Sequence, residues 1–354
     1  MRLIRRNQPL SDAERLKRKR YLTATLITCL TLTMIGGSLY VVQLGANRLA
    51  EMRGKATYDL KEERSRIRAA GEQAVRRADE VRVVTGLYTP EEVEVLLTPA
   101  QWEEINSMVA IPAGPFIMGT GNERADVQNQ PEHSVTLPAY RMDKYPVTNA
   151  QYARFVVATG SPPPENWIGG KVPRGRALHP VTMVSWHNAQ RYAQWAGKRL
   201  PSEAEWEKAA RGADGRRWPW GNVMDANRIN TYNNVGSTTA VTRYQQGASP
   251  YGVMDMAGNV SQWTADDFLP YEGSSALAEL FKAKRGVAAS TQDRSLKVVD
   301  LIITGERYKV MRGGSWKSDP FSTSSYHRNY SLPNYASDFF GFRCAQDAKQ
   351  HEPP

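Results

Sequence analysis

Cysteine and histidine are scarce in this chain, and both shortages narrow what it does. The 354 residues hold two cysteines and five histidines. Cys29 lies inside an apolar run and Cys344 near the end of the sequence, so the two do not pair within one molecule. No histidine precedes His133, and His133, His179, His187 and His327 show no ligand spacing such as His-x-x-x-His. Each is therefore expected to be a satisfied core or surface residue rather than a metal ligand. The sequence also lacks internal repeats and low-complexity tracts, which excludes repeat arrays and collagen-like or disordered classes.

What is present describes a packed, loop-rich body. Hydrophobic residues make up 41% of the total and charged residues 23%, enough for one large or two ordinary domains. Nine Trp, sixteen Tyr and 27 Gly point to many turns held by aromatic anchors, unlike a helical bundle or coiled coil. The net charge of +10 is unevenly placed: eight basic and two acidic side chains lie in residues 1–47, so more than half of the excess is at the N-terminus. With no recognisable nucleic-acid module in the body, no nucleic-acid partner is expected.

No residue between Tyr21 and Asn47 is charged, and the apolar segment from Leu22 to Val42 reaches the roughly 20 residues needed to cross a bilayer. We read residues 21–46 as an uncleaved transmembrane helix. Arg15, Lys17, Arg18, Lys19 and Arg20 abut it and hold residues 1–20 in the cytoplasm. The expectation is a single-pass protein of a bacterial inner membrane with its main domain in the periplasm. Residues 47–108, rich in charges of both signs and alanine at first, are expected to form a helical stalk that ends in short helices at Pro90 to Leu97 and Trp102 to Met108.

The body is expected over residues 109–347, followed by a tail at 348–354. Ser185 caps a helix through Ala196 that stops at Gly197. Ser202 and Glu205 form a Ser-x-x-Glu capping box that opens a second helix, through Arg211, ended by Gly212. Pro, Gly and Asn recur every few residues elsewhere, so strands must be short. Residues 269–304 read as an inserted excursion of weak pattern.

Eight motifs follow one another along the body. They are Ile111-Pro-Ala-Gly-Pro-Phe-Ile-Met-Gly119, Pro131-Glu-His-Ser-Val, Tyr145-Pro-Val-Thr-Asn-Ala-Gln-Tyr152, His179-Pro-Val-Thr-Met-Val-Ser-Trp186, Lys198-Arg-Leu-Pro-Ser-Glu-Ala-Glu-Trp-Glu207, Tyr251-Gly-Val-Met-Asp-Met-Ala-Gly-Asn259, Arg312-Gly-Gly-Ser-Trp316 and Gly341-Phe-Arg-Cys-Ala345. In this order they closely resemble the sulfatase-modifying factor family, of the formylglycine-generating enzyme type. The resemblance implies an α+β fold, a loop-rich relative of the C-type lectin fold, here preceded by one transmembrane helix and a helical stalk. It also implies, for the oxidases of the family, two copper-binding cysteines just after the Gly-Gly-Ser-aromatic motif and a Cys-x-Pro-x-Arg substrate motif.

At those two positions this protein has Ser318 and Thr323. A hydroxyl is a poor ligand for the soft Cu(I) ion, so no copper and no catalytic residue is expected. Cys344 matches the family's closing motif but is expected to be a small buried hydrophobe on a strand. The histidine-bound iron of the ergothioneine-type branch of this fold needs histidines in an N-terminal domain, where this protein has none. The resemblance further implies a structural calcium on the turn from Asp255 to Gln262, ligated by Asp255, Gly258, Val260 and Gln262, with a second site near Asn230 and Thr231 that lacks a carboxylate.

The 24 residues between Trp316 and Gly341 contain six Ser, three Tyr, three Phe, two Asn and two Asp. That composition suits an exposed recognition face, and it resembles the variable segment of lectin-fold proteins diversified by retroelements. The expected ligand-binding residues are Trp316, Ser318, Asp319, Tyr326, His327, Arg328, Tyr330 and Tyr335. The expected function is a non-catalytic binding or accessory module that captures a protein or peptide partner in the cell envelope. The alternatives are a formylglycine-generating oxidase acting on a sulfatase cysteine, and a retroelement-diversified ligand-binding protein.

Overall fold

The computed structural model describes residues 87–290, 296–302 and 305–348, with the backbone alone described at 285–290 and 296–302. The apolar segment 22–42, the stalk up to residue 86 and the tail from residue 349 lie outside the described residues. Among the described residues no helix is long and apolar enough to cross a membrane.

Local chemistry starts each helix. Thr89, Thr98, Thr148 and Ser202 each accept a backbone N–H three residues on, while a Glu or Gln there reaches back to the cap. These reciprocal boxes satisfy donors that a helix start leaves open. They open α1 (Pro90–Glu94), α2 (Pro99–Asn106), α3 (Asn149–Thr159) and α5 (Glu203–Arg211). Ser185 caps α4 (Trp186–Trp195) as the sequence indicates, and Gly212 ends α5 with a positive φ. The Thr148-Asn-Ala-Gln151 box was present in the sequence, yet α3 was not among the expected helices.

The strands are short, as the density of turn residues requires. A four-stranded sheet has the order β11-β10-β7-β12, built from β7 (Ser261–Asp267), β10 (Lys309–Arg312), β11 (Arg328–Ser331) and β12 (Phe340–Phe342). β12 runs parallel to β7 and the other pairs are antiparallel. A three-stranded antiparallel sheet orders β13 (Ala345–Asp347), β5 (Tyr140–Asp143) and β2 (Met108–Ile111). Three two-stranded pairs complete the set: β3 (Gly114–Met118) with β4 (His133–Leu137), β1 (Leu87–Tyr88) with β6 (Val172–Pro173), and β8 (Lys284–Ser290) with β9 (Leu296–Ile302).

The packed body begins earlier than residue 109. Val93, Leu97, Trp102 and Ile105 are buried in the largest core cluster beside Tyr152, Phe155, Trp167 and Phe342. Arg154 of α3 pairs with Glu94 and lies 3.4 Å over the Trp102 ring. Residues 87–108 are thus part of the domain and not of a solvated stalk. Their alternation of Pro and acidic residues disguised a face that carries Val93, Leu97, Trp102 and Ile105.

The start of the excursion at 269–304 is anchored as well. Phe268 stacks on Tyr330 at 4.2 Å and packs on Phe281, and Tyr271 covers the Arg328 guanidinium at 4.0 Å. The excursion therefore folds over part of the face that the sequence reading left open.

Candidate functional site

α5 is a charged helix in the interior. Of its nine residues only Ala204 is not buried, so every charge needs a partner. Glu203 accepts from Arg328 Nε (2.7 Å) and Nη2 (2.9 Å). Glu207 accepts from Gly119 N (2.9 Å), Arg211 Nη1 (2.7 Å) and Arg312 Nη2. Glu205 pairs with Arg199, and Lys208 Nζ donates to the carbonyls of Pro112 (2.7 Å) and Gly114 (2.9 Å). This network joins β3, α5, β10 and β11 into one block.

The centre of the expected recognition face lies inside that block. Arg328 is 2% exposed and Tyr326 is 7% exposed, and Arg312 Nη1 donates to the Tyr326 carbonyl. Tyr330 lies against Phe268 and Tyr308. His327 Nδ1 faces Asn129 Nδ2 at 3.5 Å, which makes it an acceptor on a neutral ring, and burial holds its pKa below the usual histidine value. Asp319 is exposed and caps its own loop, accepting from Phe321 N (2.8 Å) and Ser322 N (3.2 Å). Of the eight residues, Tyr335 (62%) and Asp319 are exposed, Ser318, His327 and Tyr330 are partly exposed, and Trp316 edges a groove. Arg328, Tyr326 and Tyr330 are thus structural residues, because the opposite charge and the covering rings come from segments far away in sequence.

The two positions of the implied thiols carry hydroxyls held by the protein. Thr323 is fully buried, and its Oγ1 donates to the Pro320 carbonyl (2.7 Å) and accepts from Trp218 Nε1 (3.3 Å). Ser318 Oγ accepts from Ser315 N (2.9 Å) and lies 3.2 Å from Ser315 Oγ. Neither oxygen is a soft donor, and the pair does not fit Cu(I). Cys344 is buried between β12 and β13, and burial pushes its thiol well above the ordinary range.

The Asp255 to Gln262 turn is centred on a guanidinium. Gln262 Oε1 accepts from Trp206 Nε1 (2.9 Å) and Arg343 Nε (2.6 Å), and its amide donates to the Asp255 carbonyl (2.7 Å). Asp255 Oδ2 accepts from Asn259 Nδ2 (2.7 Å), and burial pushes that carboxyl up to about 7. Gly258 has φ +75° and a Cβ there would stand 2.3 Å from the Asn230 carbonyl, so only glycine fits; Val260 is buried beside it. Gln262 Oε1 and Asp255 Oδ2, two oxygens of the implied calcium set, are thus already engaged by protein donors.

A groove of about 300 Å³ opens beside Trp316. Asn149, at the start of α3, and Trp167 form one side, where Trp167 Nε1 donates to Asn149 Oδ1 (2.9 Å). Thr238 and Arg176 line another, and Asp338 lies near Trp316. Arg176 Nη1 donates to His179 Nδ1 at 3.2 Å, so that ring is neutral with its proton on Nε2. Burial and then the Arg176 charge lower the His179 pKa to about 4. Of the groove's lining, sequence reasoning named Trp316; the rest come from the start of α3 and from separate loops with no local spacing.

The lowered histidine fixes a sign. The folded state binds a proton less readily than the unfolded state, so the His179 contribution is complete above about pH 6.5 and is lost as pH falls toward 4. The raised Asp255 carboxyl acts in the opposite direction. The expected result is therefore a difference: between pH 7 and pH 4.5 the urea midpoint of the unaltered protein falls relative to that of His179→Gln. Parallel curves for the two proteins would remove His179 from the account.

Residues 94–348 match the family model described as "Sulfatase-modifying factor enzyme 1-like domain". Over 265 residues the protein is 36% identical to the serine/threonine-protein kinase Pkn1 of Chlamydia trachomatis, covering 69% of this chain and 39% of the kinase. It therefore spans about two fifths of the length of that relative. It is 30% identical over 300 residues to the formylglycine-generating enzyme of Streptomyces coelicolor, covering 68% of this chain and 89% of that enzyme. Among solved structures, PvdO from Pseudomonas aeruginosa aligns with a TM-score of 0.52 at 26% identity, covering 68% of this chain and 94% of PvdO.

Proposed function

Because the chain belongs to the sulfatase-modifying factor enzyme 1-like family yet carries hydroxyls where the resemblance places two thiols, we propose that it is a binding module and not an oxidase. One observation carries the reading. The Thr323 hydroxyl is fully buried and engaged on both sides, by the Pro320 carbonyl and the Trp218 indole. A thiolate pair binds Cu(I) as a soft, deprotonated donor set; a hydroxyl stays protonated at neutral pH and Thr323 is already satisfied. In this reading the groove beside Trp316 receives a peptide or protein partner. The apolar segment 22–42 holds the module in a membrane, with the body on the periplasmic side as part of an envelope complex.

The test is a copper-supplemented oxidation assay on the full-length protein with a Cys-x-Pro-x-Arg peptide. The expected result is no formylglycine above the protein-free control, with the protein shown folded by its near-UV circular dichroism. Turnover that saturates with peptide would overturn the reading and require an oxidant site elsewhere.

A further inference from the structure

The groove beside Trp316 holds a positive charge that no carboxylate in the described residues neutralises. Arg176 is half-buried there, and its hydrogen-bond partners are all uncharged. Nη1 donates to the Thr238 carbonyl (3.3 Å), Thr238 Oγ1 (3.2 Å) and His179 Nδ1 (3.2 Å), and Nη2 to Ser237 Oγ (3.4 Å). Asp338, the carboxylate lining the same groove, is held by Lys317 Nζ at 2.8 and 2.9 Å. Other buried guanidiniums are differently placed. Arg312 has Glu207, Arg328 has Glu203 and Arg211 has Glu207, while Arg343 is enclosed by five oxygen acceptors. Burial lowers the Arg176 pKa.

We propose that this groove binds the carboxylate of a peptide, with Arg176 as the residue that recognises it. The inference rests on the reading of the protein as a binding module. Nη1 is fixed by Thr238 and His179, which orients the planar guanidinium and leaves its Nε edge for the two parallel hydrogen bonds that a carboxylate accepts. Asn149 is held by Trp167 Nε1 and by the carbonyls of Arg176 and His179. Asn166 and Thr182, joined by a bond from Asn166 Nδ2 to Thr182 Oγ1 (2.9 Å), lie along the same walls and keep hydrogen-bonding capacity for an adjoining peptide group. The edge of Trp316, 8% exposed, borders the groove and is the aromatic contact open to the neighbouring side chain. One uncompensated positive charge matches a carboxylate better than a phosphate dianion. A volume of about 300 Å³ admits one or two residues and not a folded surface. The carboxylate is either the free C-terminus of a peptide or an Asp or Glu side chain, and the ligand chemistry is the same for both.

The experiment is calorimetry on the full-length protein in detergent at pH 7.5, with four probes: N-acetyl-Ala-Ala-Phe with a free carboxylate, its C-terminal amide, N-acetyl-Ala-Asp-Ala amide, and inorganic phosphate. The expected result is that a carboxylate probe binds at least about tenfold more tightly than the neutral amide, and that Arg176→Gln removes this preference. Binding of the free acid alone assigns a C-terminus, and binding of the Asp peptide assigns a side chain. The acid and amide comparison on the unaltered protein does not depend on how the variant folds. Equal binding of acid and amide, unchanged in Arg176→Gln, would leave the groove a binding site and overturn the anion assignment. Tighter binding of phosphate than of either carboxylate would overturn it too. No binding by any probe would overturn both this inference and the use of the groove in the binding reading.

Discussion

Arg328→Ala is expected to lower the unfolding free energy by about 3–5 kcal/mol, the range for breaking a buried ion pair by removing one partner. Arg328 is 2% exposed and donates twice to Glu203, once to the Gln128 carbonyl (3.0 Å), and lies over the rings of Tyr271 and Phe268 at 4.0 and 4.8 Å. Its removal leaves Glu203 with the Tyr271 hydroxyl at 3.2 Å and an ion pair at 3.5 Å to Arg312, whose charge is shared with Glu207 and compensates two buried carboxylates incompletely. The double change Glu203→Gln with Arg328→Met is expected to cost less than Arg328→Ala alone, because it removes both charges. Urea unfolding of the three proteins checks this. A loss below about 1 kcal/mol for Arg328→Ala would mean that the pair is not desolvated in solution. Such a variant therefore reports on folding, and any partner-capture assay built on it would confuse the two.

The same residue shows where sequence reading stops. Arg328 is flanked by Ser, Tyr and Asn, a composition shared by exposed recognition loops and by loops that satisfy their own backbone. Only the partner decides between them, and Glu203 stands 125 residues earlier. By contrast, what rests on near neighbours was legible. The Ser185 and Ser202 caps placed α4 and α5 within a residue or two, and the order of eight motifs gave the family and its mixed, short-stranded architecture. α5 illustrates both outcomes. Its capping box is local and was read, whereas the burial of Glu203, Glu205, Glu207, Lys208 and Arg211 depends on arginines and carbonyls from β3, β10 and β11 and was not. The groove belongs to the second kind, since Arg176, Thr238 and Trp316 meet only through tertiary packing. The position of Thr323 was legible as a missing thiol, but its engagement by Trp218 came from 105 residues away.

Arg343→Ala is expected to lower the unfolding free energy of the body by several kcal/mol, whereas removal of divalent ions is expected to leave it unchanged. The Arg343 guanidinium is fully buried and donates to five oxygens. These are Gln262 Oε1 (2.6 Å) and the carbonyls of Asp143 (3.0 Å), Lys144 (3.2 Å), Met254 (2.6 Å) and Asp255 (3.3 Å). Burial lowers its pKa to about 10, so it remains charged at neutral pH. It ties β12 and β13 to the start of β7 and to the residues after β5. Alanine takes one donor from each acceptor, while Gln262 Oε1, the Asp255 carbonyl and the Lys144 carbonyl keep Trp206 Nε1, Gln262 Nε2 and Met254 N. The cost is several kcal/mol from the lost charge-assisted hydrogen bonds and the cavity left behind, a large share of the roughly 5–15 kcal/mol by which domains are stable. Lysine keeps the charge but supplies three donors from one atom, and is expected to fold with a lower melting temperature. The ion arm of the experiment compares the unaltered protein in EGTA and in millimolar calcium. Its expected result is one melting temperature in both, because Gln262 Oε1 and Asp255 Oδ2 already accept from Trp206, Arg343 and Asn259. A ligand bound well below its concentration would raise stability by a few kcal/mol, and a calcium-dependent rise of several degrees would show that the turn takes a metal cation in addition to its guanidinium.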